Sequence, residues 1–304
     1  MKCKTAKHPC FSSDARYKYA RMHLAVAPKC NISCNYCSRK FDCVHESRPG
    51  VSSEILTPAL AYNKFITVQK KIENLSVVGI AGPGDALANW EHVRKTIELI
   101  RKNKSDIIFC LSTNGLKLPF YAGEIVEWGI SHLTVTVNSL DPVIGSKIYK
   151  YVTYKGKKYE GVQGARILID NQLAGIKYLT EQGVIVKVNI VMIKGINDRH
   201  IPEIVKKVKS LGAFIANIMP LIPAKGSIFE NYPQTTGHEL KRMRKMCEAD
   251  LQQMYHCRQC RADAIGLLTN DRSGEFRTPL CETETPVISA KKSRKNYKIA
   301  VTRV

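Results

Sequence analysis

The sequence holds no run of about 18 consecutive apolar residues, the length a helix needs to cross a bilayer, so no membrane-spanning helix is expected. Its first ten residues, MKCKTAKHPC, lack the apolar core of a secretory leader, which points to a cytoplasmic protein. Internal repeats, low-complexity tracts and recognised nucleic-acid-binding motifs are also missing. Acidic residues are scarce: 26 Asp and Glu stand against 47 Lys and Arg, a formal charge of +21. Such an excess suits phosphates, an anionic ligand or an acidic protein partner, and it also suits a plain solvated basic surface. Few basic residues are blocked together, the exception being Lys291, Lys292, Arg294 and Lys295. The 11 cysteines are odd in number and follow no leader, which argues against a disulfide framework. Clustered thiols in a reducing compartment point instead to metal or iron–sulfur ligation.

What is present is a globular composition, 44% apolar and 24% charged over 304 residues. Strand-like runs at 22–27, 76–81, 107–112, 132–137, 184–190 and 213–219 alternate with helical patterns. Thr57-Pro58 caps a helix to about residue 73, Trp90, Val93, Ile97 and Ile100 recur at helical spacing, and Asp141-Pro142 repeats the cap signal. Later helices are predicted over 163–182 and 200–211. Six strands alternating with helices predict an α/β fold on a parallel sheet, open or curved into a barrel, with its site at the C-terminal strand ends. After Pro223 the pattern changes. Thr236 and Glu239 make a capping box for a helix with Leu240, Met243, Cys247, Leu251 and Met254 on one face. Residues 256–304 are expected to form a covering extension. The expected division is an arm over 1–16, a barrel over 17–230 and an extension over 231–304.

Cys30, Cys34 and Cys37 form C-x3-C-x2-C directly after the first predicted strand. Three thiolates in one loop can hold three irons of a cubane and leave the fourth open to a substrate-like molecule. This pattern resembles that of the radical S-adenosylmethionine (SAM) superfamily, which implies a [4Fe–4S] cluster whose open iron chelates SAM. A zinc knuckle is the alternative, with Cys43 or His45 as a fourth ligand. Gly82, Gly84 and Asp85 follow the second strand, where glycine lets backbone approach a ligand and the carboxylate can accept from an ammonium group. Thr113, Asn138 and Asn189 lie at or near later strand ends, positions expected to line a ligand rim and equally open to turn formers. Cys257 and Cys260 form a distant C-x2-C pair, Cys3, His8 and Cys10 crowd the N-terminus, and Cys110 sits on the third strand. Cys247 is better placed for core packing, and Cys281 is left unassigned.

His8-Pro9-Cys10, Ala27-Pro28-Lys29-Cys30-Asn31, Phe41-Asp42-Cys43, Glu46-Ser47-Arg48-Pro49-Gly50-Val51, Ala81-Gly82-Pro83-Gly84-Asp85, Leu111-Ser112-Thr113-Asn114-Gly115, Gly195-Ile196-Asn197-Asp198 and Gln259-Cys260-Arg261-Ala262-Asp263-Ala264 together resemble the NifB family of nitrogenase cofactor maturases. The resemblance spans roughly residues 8–266. It implies a partial (β/α)6 TIM-like barrel whose mouth is closed by an N-terminal arm and a C-terminal extension. It also implies three [4Fe–4S] clusters per chain, two of them precursors fused into an eight-iron core. The resemblance further implies that a SAM methyl group supplies a central carbide and a small inorganic sulfur source an added sulfur. Carried over residue by residue, one precursor falls to Cys10, Cys43 and Cys110, and the other to Cys257 and Cys260 with Cys3. His8 is a candidate nitrogen ligand. Glu46 is a candidate acid/base or transient ligand, and Arg48 a candidate counter-charge. The expected form is stand-alone, without the family's C-terminal carrier domain. Its expected partners are SAM, the anionic precursor clusters, a cofactor carrier or scaffold protein and an electron donor such as a ferredoxin, with neither nucleic acid nor membrane. A radical SAM enzyme with one auxiliary cluster and an organic substrate, or a non-catalytic Fe–S carrier, are the rival readings.

Overall fold

The computed structural model describes residues 2–38, 48–104 and 106–277. Short helices α1 (Lys2–Thr5) and α2 (Ala15–Lys18) lead into β1 (Ala20–His23), and β2 (Ile32–Cys34) lies within the cysteine loop. Helix α3 (Pro58–Lys71) starts where Thr57 Oγ1 accepts from Leu60 N at 3.3 Å, with Pro58 supplying a pre-set φ. There follow β3 (Leu75–Ile80), α4 (Trp90–Asn103), β4 (Ile108–Thr113), α5 (Leu118–Glu127), β5 (His132–Thr136) and α6 (Pro142–Ile148). A hairpin of β6 (Tyr149–Tyr154) and β7 (Lys157–Glu160) precedes α7 (Gly161–Glu181), β8 (Ile185–Met192), α8 (Ile201–Ser210), β9 (Ile215–Pro220), α9 (Gly237–Glu248) and β10 (Ile265–Gly266).

The main sheet runs β10-β1-β3-β4-β5-β8-β9, and every neighbouring pair is parallel except β10 with β1. The six predicted strands are therefore present, in sequence order, as a curled half-barrel closed at one edge by β10. The first strand is shorter and earlier than the pattern suggested, because residues 24–27 leave the ladder. Side chains on successive strand positions point to opposite faces. Val78, Ile80, Phe109, Leu111, Leu133, Val135, Val186 and Val188 join the helices in the main core, each burial contributing about 1.5–3 kcal/mol. The alternate positions Gly79, Cys110, Thr134, Lys187 and Asn217 face a cavity inside the curl.

A second sheet, β2-β6-β7, is antiparallel and was not legible as strands. Its hairpin turns at Lys155 and Gly156, with φ of 48° and 76°, the double left-handed geometry of a two-residue turn. It props the cysteine loop from outside: Ile32 of β2 packs with Leu116, Ile148, Tyr149, Val152 and Leu168. The capping box at Thr236 and Glu239 forms reciprocally. Cys247 is fully buried in the core as expected, whereas Leu251 and Met254 are buried beyond the end of α9 rather than on its face.

Candidate active site

Gly84 positions the cysteine loop. Its N–H donates to the Ala27 carbonyl at 2.6 Å, the Asp85 N–H donates to the Lys29 carbonyl at 2.9 Å, and a Cβ at Gly84 would overlap the Lys29 carbonyl. This glycine thus lets backbone approach backbone just before Cys30. Asp85 is buried, and both oxygens are engaged. Oδ1 accepts from the N–H groups of Leu87 and Ala88 at 3.0 and 3.1 Å, and Oδ2 accepts from Thr113 Oγ1 and Asn114 N at 2.9 and 2.6 Å. Those four bonds fill the acceptor positions of a carboxylate. Asp85 therefore fastens the end of β4 to the loop after β3, and burial pushes its pKa up against these hydrogen bonds. Asn114 continues the chain of contacts, with Nδ2 2.7 Å from Asn31 Oδ1 and 3.8 Å from Cys30 Sγ.

These residues border one cavity of about 260 Å³. Among the described residues seven cysteines line it: Cys30, Cys34 and Cys37 from the loop, Cys110 from β4, Cys10 from the N-terminal arm, and Cys257 and Cys260 from the segment after α9. His8, Gly84, Asp85, Thr113 and Asn189 line it as well. Gly82 and Asn138 do not. Asn138 is buried at the rim, where Oδ1 accepts from Val191 N at 2.8 Å and Nδ2 donates to Tyr36 Oη at 3.0 Å, so it braces β8 and the cysteine loop. Arg48 is buried and donates to the Ser38 carbonyl at 2.9 Å, at the end of the loop rather than in the cavity wall. The Cys3 side chain, Cys43 and Glu46 lie outside the described residues, as does Cys281.

The two terminal contributors are tied down by specific contacts. Gln259 takes a left-handed φ of 47° between the two C-x2-C cysteines, and its N–H points to Cys257 Sγ at 3.4 Å. Asn217 Nδ2 donates to Cys257 Sγ at 3.2 Å and to Asn189 Oδ1 at 3.0 Å. Arg21 reaches Cys260 Sγ at 3.5 Å while pairing with Asp271 at 2.9 Å. His8 is buried against Phe11 and His132, and its Nδ1 accepts from Cys10 N at 3.2 Å. The neutral His8 ring therefore carries its proton on Nε2, which has no hydrogen-bond partner among the described residues. Burial lowers the His8 pKa well below its usual value, and pushes the Cys110 thiol up to about 12 while the Lys187 charge pulls the other way.

Sequence reasoning did not single out Arg21, His23, His132, Lys187 or Asn217. The available signal was a polar residue at alternate positions of otherwise apolar strands, which marks an inward face that is not core.

The donor set fits iron–sulfur clusters: cysteine sulfurs dominate the cavity, and the one carboxylate lining it among the described residues, Asp85, is already engaged. Among the described residues no three His, Cys, Asp or Glu side chains are gathered to hold a single ion; Cys43 and His45, the fourth-ligand candidates of the zinc alternative, lie outside the described residues. Residues 24–208 match the Radical SAM superfamily model. The chain belongs to the radical SAM superfamily. Membership implies a [4Fe–4S] cluster and SAM. The chain is also 53% identical over 273 residues to the FeMo cofactor biosynthesis protein NifB of Bradyrhizobium diazoefficiens, covering 88% of this chain and 55% of that protein. It is 49% identical over 277 residues to the protein of the same name from Klebsiella pneumoniae, covering 90% and 59%. The chain thus spans a little over half the length of the curated relatives it matches. Streptococcus suis SuiB, in a crystal structure bound to S-adenosylmethionine, superposes with a TM-score of 0.54 at 16% identity, over 83% of this chain and 52% of SuiB. At that identity the likeness speaks for the radical SAM fold alone. No helix among the described residues is long and apolar enough to cross a membrane.

Proposed function

We propose that this chain is a radical SAM maturase of the NifB type, which fuses two [4Fe–4S] clusters into an eight-iron precursor of the nitrogenase cofactor. The observation that carries the reading is the gathering of seven thiols on one cavity from the arm, the barrel and the extension. Cys30, Cys34 and Cys37 suffice for one SAM-binding cluster, so Cys10, Cys110, Cys257 and Cys260 are left for something else of the same chemistry. Those four, with His8 and with Cys3 and Cys43, would hold the precursors as substrates. Bound SAM and its cluster supply one-electron cleavage to methionine and a 5′-deoxyadenosyl radical, and a methyl group as the source of carbide.

The chain's own residues do the rest. Gly84, Asp85, Thr113 and Asn114 hold the cysteine loop in register with the strand ends, leaving the 83–85 backbone, Thr113 and Asn189 as the SAM-facing candidates. In the expected division into arm (1–16), barrel (17–230) and extension (231–304), Cys10 of the arm and Cys257 and Cys260 of the extension reach the cavity, an arrangement suited to excluding water from a reactive intermediate. Glu46 and Arg48, which follow the cysteine loop in sequence, are candidates for proton handling and charge balance. A small inorganic sulfur source, an electron donor such as a ferredoxin and a carrier or scaffold protein complete the expected partners in a cytoplasmic setting.

The test is anaerobic reconstitution followed by iron analysis and product assay. About twelve irons per chain are expected for three cubanes, and about eight would favour a single auxiliary cluster and an organic substrate. Reduced protein with SAM is expected to form 5′-deoxyadenosine, and Cys34→Ala to form none. A fully loaded parent that forms none would overturn the reading.

A further inference from the structure

Lys187 is a buried cation that the proposed chemistry leaves without a task. It sits on β8 beside Thr134 of β5 and Ile215 of β9, on the inward face of the barrel. Only 7% of the residue is exposed. Its Nζ lies 4.9 Å from the centre of the Phe11 ring, and Phe11 comes from the same arm as His8 and Cys10. Among the described residues no carboxylate pairs with this ammonium and no hydrogen bond engages it. The other cations of the cavity differ. Arg21 is paired with Asp271 and bonded to the carbonyls of Gly266 and Leu267, and Arg258 is exposed at the opening.

A buried charge without a counter-charge is costly to fold. Retaining one in a cavity otherwise lined with thiols makes physical sense when an anion fills the remaining space. The neighbours are consistent with that. Lys187 lines the same cavity as Cys10, Cys110 and His8, so its charge faces the space those donors share. Phe11, Val77, Ile185 and Ile215 form a buried apolar cluster with Cys110 beside Lys187, and in such low-dielectric surroundings a fixed charge acts more strongly than in water.

We propose that Lys187 is the fixed counter-charge for the anionic iron–sulfur substrate seated against Cys10 and Cys110, holding it without ligating iron and raising its reduction potential. The proposal rests on the multi-cluster reading above. Lys187 is a positioning residue in this role: it sets how well one precursor is kept, and how readily that precursor accepts an electron.

The experiment compares parent, Lys187→Met and Lys187→Arg after identical anaerobic reconstitution, reading iron per chain, cluster midpoint potentials and the melting temperature of the cluster-free proteins. Lys187→Met is expected to fall by about four irons from a parent value of about twelve. Where the iron stays, one midpoint is expected to move to more negative potential. Lys187→Arg is expected to keep the parent values. The cluster-free Lys187→Met protein is expected to melt no lower than the cluster-free parent, since it has lost an unpaired buried charge. Parent-like iron content together with parent-like midpoints in Lys187→Met would overturn this inference alone. So would a cluster-free Lys187→Met protein that melts well below the parent, which would make the lysine structural. A parent that binds only about four irons would instead bring down the multi-cluster reading, and this inference with it.

Discussion

At the scale of single residues, the loop after β3 shows an acid at a strand end whose acceptor positions are taken by its own chain. The Gly-Pro-Gly-Asp run was expected to present glycine backbone and an acceptor to SAM. In the fold Gly84 gives its space to the Lys29 carbonyl, and Asp85 gives all four acceptor positions to its own chain. Spacing cannot distinguish an acid aimed at a ligand from one aimed at neighbouring N–H groups, because both sit at a strand end. Two outcomes follow from the geometry. Gly84→Ala is expected to push the 28–30 backbone away and to lose the SAM-site cluster, about four irons per chain, read by iron analysis and visible absorption. Asp85→Asn replaces one acceptor oxygen by a donor facing N–H groups, and is expected to destabilise the fold by about 1–3 kcal/mol in denaturant titrations. A Gly84→Ala protein with its full cluster complement would show that the loop has room the geometry denies it.

At the scale of elements, the segment from Arg261 to Ala264 holds the last cysteine pair to the barrel. Arg261 Nε is 2.9 Å from Asp263 Oδ1, and Asp263 Oδ2 accepts from Ser53 N and Oγ at 2.6 and 2.7 Å. The Ala262 N–H donates to the Val51 carbonyl and the His23 N–H to the Ala264 carbonyl, both at 2.8 Å. Burial would raise the Asp263 pKa, but the Arg261 and Ser53 hydrogen bonds outweigh it and hold the value at about 2. Asp263→Ala removes the carboxylate from a buried pair and is expected to cost about 3–5 kcal/mol. It is also expected to loosen Cys257 and Cys260 without touching the N-terminal cysteine loop. Chemical denaturation gives the first quantity, and a loss of auxiliary iron with the SAM-site cluster retained gives the second. Elements of this kind were only partly legible. The six core strands and most of their helices were readable because apolar alternation and cap residues are local signals. The β6–β7 hairpin was not, since Lys157–Glu160 is mostly exposed and strongly charged and carries little hydrophobic pattern. The pairing of Ser53 with Asp263 joins positions 210 residues apart, beyond the reach of any periodicity.

At the scale of the whole molecule, burial of histidine in a basic protein sets the pH range in which the cluster-free fold survives. Burial is the largest cause lowering the pKa of His8, His23, His132 and His256, to about 4 for His23 and His132. In the unfolded chain the same groups take protons near about 6.5. Between those values the unfolded state binds more protons, so stability falls as pH falls. The contribution is complete above about 6.5 and is lost progressively toward about 4. Asp263 acts lower, between the ordinary Asp value and about 2, and Asp85, raised by burial, works in the opposite sense near the carboxylate range. The melting temperature of the cluster-free protein is therefore expected to be level from pH 8 to 7 and to drop steadily from pH 6.5 to 4.5. A chain of formal charge +21 also repels itself more as histidines gain protons, which predicts the same direction for a different reason. Salt separates the two. At about 1 M the Debye length is about 3 Å, so surface repulsion is screened while the cost of charging a buried imidazole is not. The slope is expected to persist in high salt and to shrink in His23→Gln, whose ring contacts the Arg261 carbonyl at 2.8 Å. A slope abolished by salt would assign the acid sensitivity to net charge, and the polar interior of the barrel would then not be what limits stability below pH 6.5.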